Sequence, residues 1–272
     1  MNLDAFHFTS RPRLEKPSVI VGWTGDIGSV SSGVVDFLAD ASGGGSFCQL
    51  DPVDFFAVGG VTVEDDVAQY PQSRFSCDER RNLMILRSDE PQVHKYEFLG
   101  SVFDLVKYYG GTDGLYTVNG IASMIPHTAG RRVFLVCNDP VMQHELRQFV
   151  SAGLTWQGPP HTSTFLLWLA KDRQLTGAGL WVEVPFYLAN YEDARAVGTG
   201  VSSIGRILGR SYDLDELDRR IADQDETLAQ LRGEDPEIDA KIYALEQGEM
   251  LNRDEQQELA EAVQDALREH SR

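Results

Sequence analysis

The residues of this sequence that could do chemistry follow four apolar, strand-like runs. The stretches are GWTGDIG (22–28), SDEP (88–91), NGIASMIPHT (119–128) and EVPFY (183–187). In an open parallel sheet, the loops at the carboxyl ends of the strands meet at one edge, where ligands bind in a crevice. We therefore expect a shared crevice at that edge. Its candidate lining residues are Trp23, Asp26, Glu90, Asn119, His127 and Glu183.

The first stretch carries Gly22, Gly25 and Gly28 ahead of a predicted helix. Backbone N–H groups in such a turn can cradle an anion at the helix N-terminus. The spacing is neither that of a Walker loop nor that of G-x-G-x-x-G. The alternative is a tight strand-to-helix turn in which Asp26 caps the helix, and we favour it because glycine so often serves turns.

His127 lies in IPHTAGRR (125–132) and has no second histidine at metal-ligand spacing, so we predict no metal site. No G-x-S-x-G elbow or comparable nucleophile setting accompanies it, and a general base needs such a partner. Because Pro126 fixes the backbone ahead of it, we favour a structural loop with the imidazole bonded to the main chain. Arg131 and Arg132 could bind a carboxylate or phosphate, although such a pair is more often a solvated strand entry.

A second polar stretch, LTWQGPPHTS (154–163), contains a Gly-Pro turn ahead of a predicted helix. His161, Thr162 and Ser163 have the residue types of N-terminal capping groups. We therefore interpret them as caps first and as site residues second.

Composition excludes several classes of function. The 272 residues carry a net charge of -18, whereas phosphate binding needs a surplus of Lys and Arg, so we predict no nucleic-acid partner. No run of 18 apolar residues predicts a membrane span, and no secretory signal is visible. Cys48, Cys77 and Cys137 are odd in number and widely spaced, which favours free thiols in a cytoplasmic protein.

Strands alternating with helices over the first 210 residues or so predict an α/β three-layer sandwich with a mostly parallel sheet. The predicted strands are 17–23, 46–51, 74–77, 81–88, 114–121, 132–138 and 179–185. The predicted helices are 28–41, 92–110, 139–152, 162–174 and 191–209. The third of these helices should begin with Asp139 as N-cap and Pro140 at the first helical position.

The last sixty residues differ in kind. Residues 213–272 hold 19 acidic and 7 basic side chains, whereas residues 1–212 hold 23 and 17. This charge asymmetry marks a boundary, so we expect an N-terminal arm (1–15), an α/β domain (16–212) and an acidic helical extension (213–272). Its narrow apolar stripes favour packing on the main domain or on a neighbouring subunit over a free-standing coiled coil.

Five motifs in order resemble the proteasome assembly chaperone 2 family over about residues 16–212, and the acidic tail looks like the extension of its longer bacterial members. The motifs are GWTGDIG, EP (90–91), PHT (126–128), QGPPHTS (157–163) and LWVEVPFY (180–187). The candidate motif residues are Gly22, Trp23, Gly25, Asp26, Glu90, Pro91, Asn119, Pro126, His127, Thr128, Arg131, Gly158 and Pro159. The resemblance implies a phosphorylase/hydrolase-like α/β fold and a homo-oligomer, for bacterial members a trimer. Eukaryotic relatives are chaperones that help assemble the α-ring of the proteasome.

The sequence also departs from the pattern of that family. Ala129 replaces the Arg that follows PHT, and Phe186 replaces the histidine of the motif VPHY, so a pair of these two histidines is not available for catalysis. The chain ends in EHSR, in place of the hydrophobic–Tyr–X ending of proteasome-binding chaperones. We expect a non-enzymatic, oligomeric, chaperone-like scaffold with a protein partner and without a cofactor. The alternative is a small-molecule binding protein or a ligase- or hydrolase-like enzyme that uses the crevice.

Overall fold

The structure is a computed structural model that describes residues 3–57, 62–64, 66–154 and 161–270. Its strands are β1 (Phe6–Phe8), β2 (Ser18–Trp23), β3 (Ser46–Leu50), β4 (Thr62–Glu64), β5 (Val67–Gln69), β6 (Ser73–Asp78), β7 (Leu83–Ser88), β8 (Gly114–Ser123), β9 (Val133–Cys137), β10 (Ala152–Gly153) and β11 (Gly177–Pro185). Its helices are α1 (Val30–Ala41), α2 (Lys95–Tyr108), α3 (Pro140–Leu146), α4 (Thr162–Asp172), α5 (Ala194–Ile207), α6 (Asp215–Glu234), α7 (Pro236–Glu246) and α8 (Arg253–His270).

A nine-stranded mixed sheet forms the centre of the fold, in the order β1-β3-β6-β7-β2-β8-β11-β9-β10. The four central strands β7, β2, β8 and β11 run parallel to one another. Antiparallel pairs flank them, β6 on β7 at one side and β9 on β11 at the other. Strand β2 is apolar along its length because helices cover both of its faces. The predicted α/β sandwich with a parallel centre is confirmed.

Two helical layers cover the sheet. Helices α1, α3 and α5 pack on one face, and α2 and α4 pack on the other. Helices α1 and α5 approach closely through two glycines. A Cβ at Gly33 would lie 2.7 Å from a methyl of Val197, and one at Gly200 would lie 2.7 Å from a methyl of Val34. Any larger residue at either position would push the two helices apart.

The acidic extension is helical, as predicted, and packs on the α1–α5 side of the domain. Helix α6 contacts α5, and α8 contacts the 3-10 turn Phe186–Leu188 that follows β11. The apolar stripes of the three helices join the same core as α1 and α5. Their buried residues include Leu217, Leu228, Ile242, Leu259 and Val263. From the sequence, the apolar stripes of the extension could pack either on the main domain or on a neighbouring subunit. Within this chain they pack on the main domain.

The segment 1–15, which the sequence predicts to be an arm, contains the edge strand β1. β1 pairs antiparallel with β3. Phe6 is buried against Phe75, with ring centroids 5.9 Å apart. Three residues are too few for an alternating pattern to stand out in a sequence, so the strand was not predicted. In the described part of the chain, no helix is long and apolar enough to cross a membrane.

Candidate functional site

The carboxyl ends of the central strands lie at one edge of the sheet because β7, β2, β8 and β11 are parallel. The predicted crevice residues lie at or directly after these strand ends. The structure distributes them among separate polar clusters, each with its own partners inside the chain. In the described part of the chain, surface grooves lie between α6 and α8, beside the C-terminal end of α2, and between α1 and the start of α6.

The first cluster is a buried chain of hydrogen bonds that begins at Trp23. The indole Nε1 donates to Ser163 Oγ at 2.9 Å, and Ser163 Oγ donates to Asn119 Oδ1 at 2.7 Å. The amide of Asn119 then reaches Thr117 Oγ1 at 3.4 Å. All four side chains are buried. The chain of bonds ties β2, β8 and the N-terminus of α4 together, so these polar groups are engaged in holding the layers in register.

The second cluster surrounds Glu90 at the surface end of this network. The hydroxyl of Thr162 donates to Glu90 Oε1, and Lys95 Nζ lies 3.3 Å from the same oxygen. Burial acts to raise the pKa of Glu90, but these two donors outweigh it and hold that pKa below its usual value. Pro91, the next residue, is buried. Glu90 is therefore an ionised, paired carboxylate.

His161 adjoins this cluster and caps α4, as its residue type predicts. Its Nδ1 accepts the backbone N–H of Ser163 at 3.2 Å, and its ring packs edge-on against Trp181 with centroids 5.0 Å apart. Burial lowers the pKa of His161, so the ring is neutral at neutral pH. Gly158 and Pro159 of the same motif lie outside the described residues.

The third cluster is centred on Asp26, between α1 and β8. Asp26 Oδ2 accepts the backbone N–H groups of Ser31 at 2.8 Å and Gly120 at 3.0 Å. Within the described residues, its Oδ1 is buried and has no hydrogen-bond partner. Burial raises the pKa of Asp26 to about 6, against the opposing effect of backbone N–H groups, of which those of Ser31 and Gly120 act most strongly. Ser29 is the N-cap residue of α1, and Asp26, at the start of the 3-10 turn before it, accepts an N–H group from the first turn of the helix. Its carboxyl titrates near pH 6.

The glycines of GWTGDIG allow the end of β2 and the turn after it to lie close to α1. A Cβ at Gly22 would lie 2.6 Å from the carbonyl oxygen of Ser31, so only glycine lets β2 pass α1 at this distance. Gly25 and Gly28 have φ angles of 73° and 67°, in the left-handed region that favours glycine. Both observations correspond to the strand-to-helix turn. The carboxylate of Asp26 already accepts the backbone N–H of Ser31, which is a donor that a bound anion would need.

The fourth cluster holds the loop of His127. The backbone N–H of His127 donates to the hydroxyl of Tyr187 at 2.5 Å, and His127 Nδ1 lies 3.0 Å from the same oxygen. Burial lowers the pKa of His127 to about 4. The imidazole is thus neutral at neutral pH and has a tyrosine as its partner. The sequence predicted a main-chain partner for this ring, and Tyr187, sixty residues away, was not foreseen.

Arg131 fixes the same loop from its other side. Its Nη1 donates to the carbonyl oxygens of Pro126, His127 and Ala129, at 3.4, 3.2 and 2.5 Å. Its Nε donates to Asp193 Oδ2 at 2.8 Å, and both side chains of this ion pair are buried. The Arg131 side chain is thus buried, with Nε bound to Asp193 and Nη1 bound to its own loop.

The acidic extension contacts the loop of His127 at Thr128. The Thr128 hydroxyl donates to Glu246 Oε1 of α7 at 3.2 Å, and Arg232 of α6 holds the same carboxylate at 2.7 Å. The acidic tail thus contacts the loop of His127 through the Thr128–Glu246 hydrogen bond. Glu246 follows Thr128 by 118 residues, and no local pattern connects the two.

Glu183 and Arg132 form the last pair at this edge. Arg132 Nε and Nη2 donate to the two carboxylate oxygens of Glu183 at 2.8 and 2.7 Å, a bidentate arrangement. Burial acts to raise the pKa of Glu183, and Arg132 outweighs it, so that pKa lies below its usual value. Glu183 is buried, whereas the arginine side chain stays largely exposed. This pair joins β11 to the start of β9.

The cysteines offer no activated nucleophile. Burial raises the pKa of Cys48 to about 12 and the pKa values of Cys77 and Cys137 to about 11. Thiols with such pKa values are protonated at neutral pH, and the thiolate is the reactive form. Among the described residues, no three His, Cys, Asp or Glu side chains are grouped so that they could hold a metal ion.

Comparisons with known proteins identify a family and a fold. The model of the PAC2 family matches residues 19–232. A Corynebacterium glutamicum protein of unknown function superposes with a TM-score of 0.76 at 21% identity, covering 90% of this chain and 96% of that one. No curated protein matches the sequence significantly.

Two further solved structures are of proteins linked to the proteasome. The archaeal proteasome activator PbaB of Pyrococcus furiosus superposes with a TM-score of 0.67 at 22% identity, covering 84% of this chain and 98% of that one. A proteasome-assembly chaperone homologue of Mycobacterium tuberculosis gives 0.70 at 16% identity, covering 80% and 96%. At these identities the likeness concerns the fold alone.

Proposed function

Because this chain belongs to the PAC2 family, as its motifs predicted, we propose that it is a non-enzymatic, self-associating scaffold with a chaperone-like role in the cytoplasm. One observation carries the proposal. The polar side chains that the strand ends bring to the sheet edge are engaged with one another: Trp23 with Ser163, His127 with Tyr187, and Arg131 with Asp193. Groups engaged in this way stabilise the fold, so we infer that the protein acts through contacts at its molecular surface.

Electrostatics support the same function. Catalytic acids and bases usually have a pKa near the working pH, yet burial holds the pKa of His127 at about 4 and that of Cys48 at about 12. The ionised carboxylates Glu90 and Glu183 are paired with Lys95 and Arg132. Each of these groups is thus fixed in one protonation state at neutral pH, as a structural role requires.

The partner that we infer is a protein. A net charge of -18 disfavours nucleic acid. Similar folds include proteins described as a proteasome activator and as a proteasome-assembly chaperone homologue. By analogy with them, this chain would hold a subunit of an assembly through a surface contact. A role at the proteasome itself rests on that analogy alone.

Size-exclusion chromatography with light scattering over a wide range of protein concentrations tests the proposal, together with affinity purification from a lysate. The expected result is a mass that is a multiple of 30.3 kDa, or a discrete complex with another protein. A monomer of 30.3 kDa at every concentration, with no protein partner, would overturn it.

Asp26 favours a second function, that of a small-molecule binding protein or a ligase- or hydrolase-like enzyme. Its Oδ1 has no partner among the described residues, and its pKa of about 6 lets it exchange a proton near neutral pH. The test is a thermal-shift screen of nucleotides and carboxylates against the wild type, Asp26→Asn and His127→Ala. A compound that stabilises only the wild type would establish this function, and a screen without any such compound would reject it for these ligand classes.

A further inference from the structure

Helices α2 and α4 carry an exposed aromatic patch on the layer that the extension does not cover. The patch consists of Tyr96 on α2 and of Phe165 and Trp168 on α4. Tyr96 is 50% exposed and Trp168 is 56% exposed, whereas Phe165 is half-buried between them. The Phe165 and Trp168 rings stack at 5.4 Å with planes 9° apart, and Tyr96 lies 6.5 Å from Phe165. Aromatic side chains gathered in this way on a surface are typical of protein interfaces.

The two helical layers of the domain differ in what covers them. Among the described residues, the core under α1 and α5 takes in the apolar stripes of α6, α7 and α8. The core under α2 and α4 receives no residue from the extension. Among the described residues, the extension thus leaves the outer faces of α2 and α4 uncovered, and the aromatic patch lies on them.

A glycine in the middle of α2 adds a second observation. Gly100 lies four residues after Tyr96, on the same helical face. A glycine inside a helix costs about 1 kcal/mol relative to alanine. Nothing in the described chain requires it, since a Cβ there would meet only Arg173 Nη2, at 4.0 Å. Because Gly100 has no side chain, the surface of α2 is lowered one turn after Tyr96. We call this place the notch. It lies between the Tyr96–Phe165 contact and the cation–π contact of Arg173 with Phe103.

The charges of this face decide which partner it fits. Two copies of a chain with a net charge of -18 repel each other, and the repulsion is strongest where the acidic extension of one meets that of the other. The α2–α4 layer is balanced instead. Helix α2 carries Lys95 and Lys107 against Glu97 and Asp104, and α4 carries one lysine and one aspartate. A neutral aromatic face on a strongly acidic molecule is where another copy can dock with the least electrostatic penalty.

We propose that the aromatic patch on α2 and α4 binds a second copy of this chain. The inference rests on the proposed function, since it names the surface through which the scaffold self-associates. Tyr96 and Trp168 would be the main contributors, because large aromatic residues dominate the binding energy of interfaces. The Gly100 notch would accept a side chain of the other copy. The extension, on the opposite layer, stays free for other contacts.

Sedimentation equilibrium of the wild type, Tyr96→Gln and Trp168→Gln tests the proposal. Glutamine suits an exposed helix, so both variants should fold, which circular dichroism would verify. Each substitution should raise the dissociation constant of self-association roughly thirty-fold, the factor for the loss of one interface hot spot. Gly100→Leu fills the notch and should weaken association as well. Tyr243→Gln on α7 is the matched control, because Tyr243 is 57% exposed but lies in the extension, and it should leave the constant unchanged.

The possible outcomes separate the two proposals. If the wild type associates and the patch variants do so equally well, the patch is not the interface, while the scaffold function stands. If Tyr243→Gln weakens association as much as Trp168→Gln does, the contact lies elsewhere on the surface and the patch is again rejected. If the wild type remains a monomer and binds no protein, both the patch and the scaffold function fail.

Discussion

Replacing Asp26 by asparagine should change how stability depends on pH. The folded protein raises the pKa of this carboxyl from 3.8 to about 6, so the folded state binds more protons than the unfolded state between these two values. Stability therefore falls as pH rises through this window, and Asp26 destabilises the protein at neutral pH. An asparagine side chain cannot ionise, so Asp26→Asn removes this dependence.

The size of the effect follows from the shift of the pKa. At about 1.4 kcal/mol per pKa unit, the full effect is about 3 kcal/mol, of which about 2.5 kcal/mol develops between pH 4 and pH 7. The asparagine NH2 group takes the place of the unpaired Oδ1 and costs about 1–3 kcal/mol at every pH, because it is a buried donor without an acceptor. The stability of the variant relative to the wild type should thus rise by about 2.5 kcal/mol over this range, whatever the constant offset.

Urea unfolding of both proteins at a series of pH values measures this difference. His127→Gln provides a control with the opposite sign. Burial lowers the pKa of His127 from 6.5 to about 4, so its contribution is complete above pH 6.5 and is lost as pH falls toward 4. Relative to the wild type, this variant should lose stability as pH rises, by about 3 kcal/mol. A difference between Asp26→Asn and the wild type that is flat from pH 4 to pH 7 would refute the reasoning, because it would mean that the carboxyl stays hydrated in the folded protein.

Two further substitutions test the polar cluster of the histidine loop and the packing of the sheet edge. Arg131→Met should cost about 3–5 kcal/mol in urea unfolding because it leaves the carboxylate of Asp193 buried and unpaired, and adding Asp193→Asn should recover part of that loss. A double variant as unstable as the single one would argue against an ion-pair effect. Gly120→Ala should unfold the protein or cost several kcal/mol, since its Cβ would clash with the carbonyl oxygen of Ile27. The control Gly198→Ala, within α5 and with open space at its Cβ, should stabilise by about 0.5–1 kcal/mol, and equal melting temperatures for the two alanine variants would contradict this account.

Local signals in the sequence predicted local structure well. Asp139 and Pro140 predicted the start of α3, and the carboxylate of Asp139 accepts the N–H groups of Val141 and Met142 there. The alternation of strands with helices predicted that the ends of β2, β7, β8 and β11 would meet at one edge. Both inferences depend on residues close together in the chain or on the general geometry of parallel sheets.

The pairing of polar groups at that edge could not be predicted in the same way. His127 pairs with Tyr187 and Thr128 with Glu246, across 60 and 118 residues, and no periodic pattern encodes contacts at such distances. The sequence placed Arg131 and Asp26 at one crevice, but packing buried the arginine inside its own loop and the carboxyl under α1. Burial also set the protonation states, because the pKa of a side chain depends on the layers that cover it.

The two faces of the molecule thus have different roles in this account. The extension packs on the α1–α5 layer and contacts the loop of His127 through the hydrogen bond from Thr128 to Glu246. On the α2–α4 layer, Tyr96 and Trp168 are exposed. An acidic tail packed on one side and an exposed neutral aromatic patch on the other suit a protein that acts by contact with other protein chains.

Native mass spectrometry of the wild-type protein, purified under mild conditions from cells that naturally produce it, tests this claim most directly. We expect a complex, either a homo-oligomer at a multiple of 30.3 kDa or an assembly with another protein, with no small molecule bound stoichiometrically. A monomer of 30.3 kDa that carries a bound metabolite would contradict it.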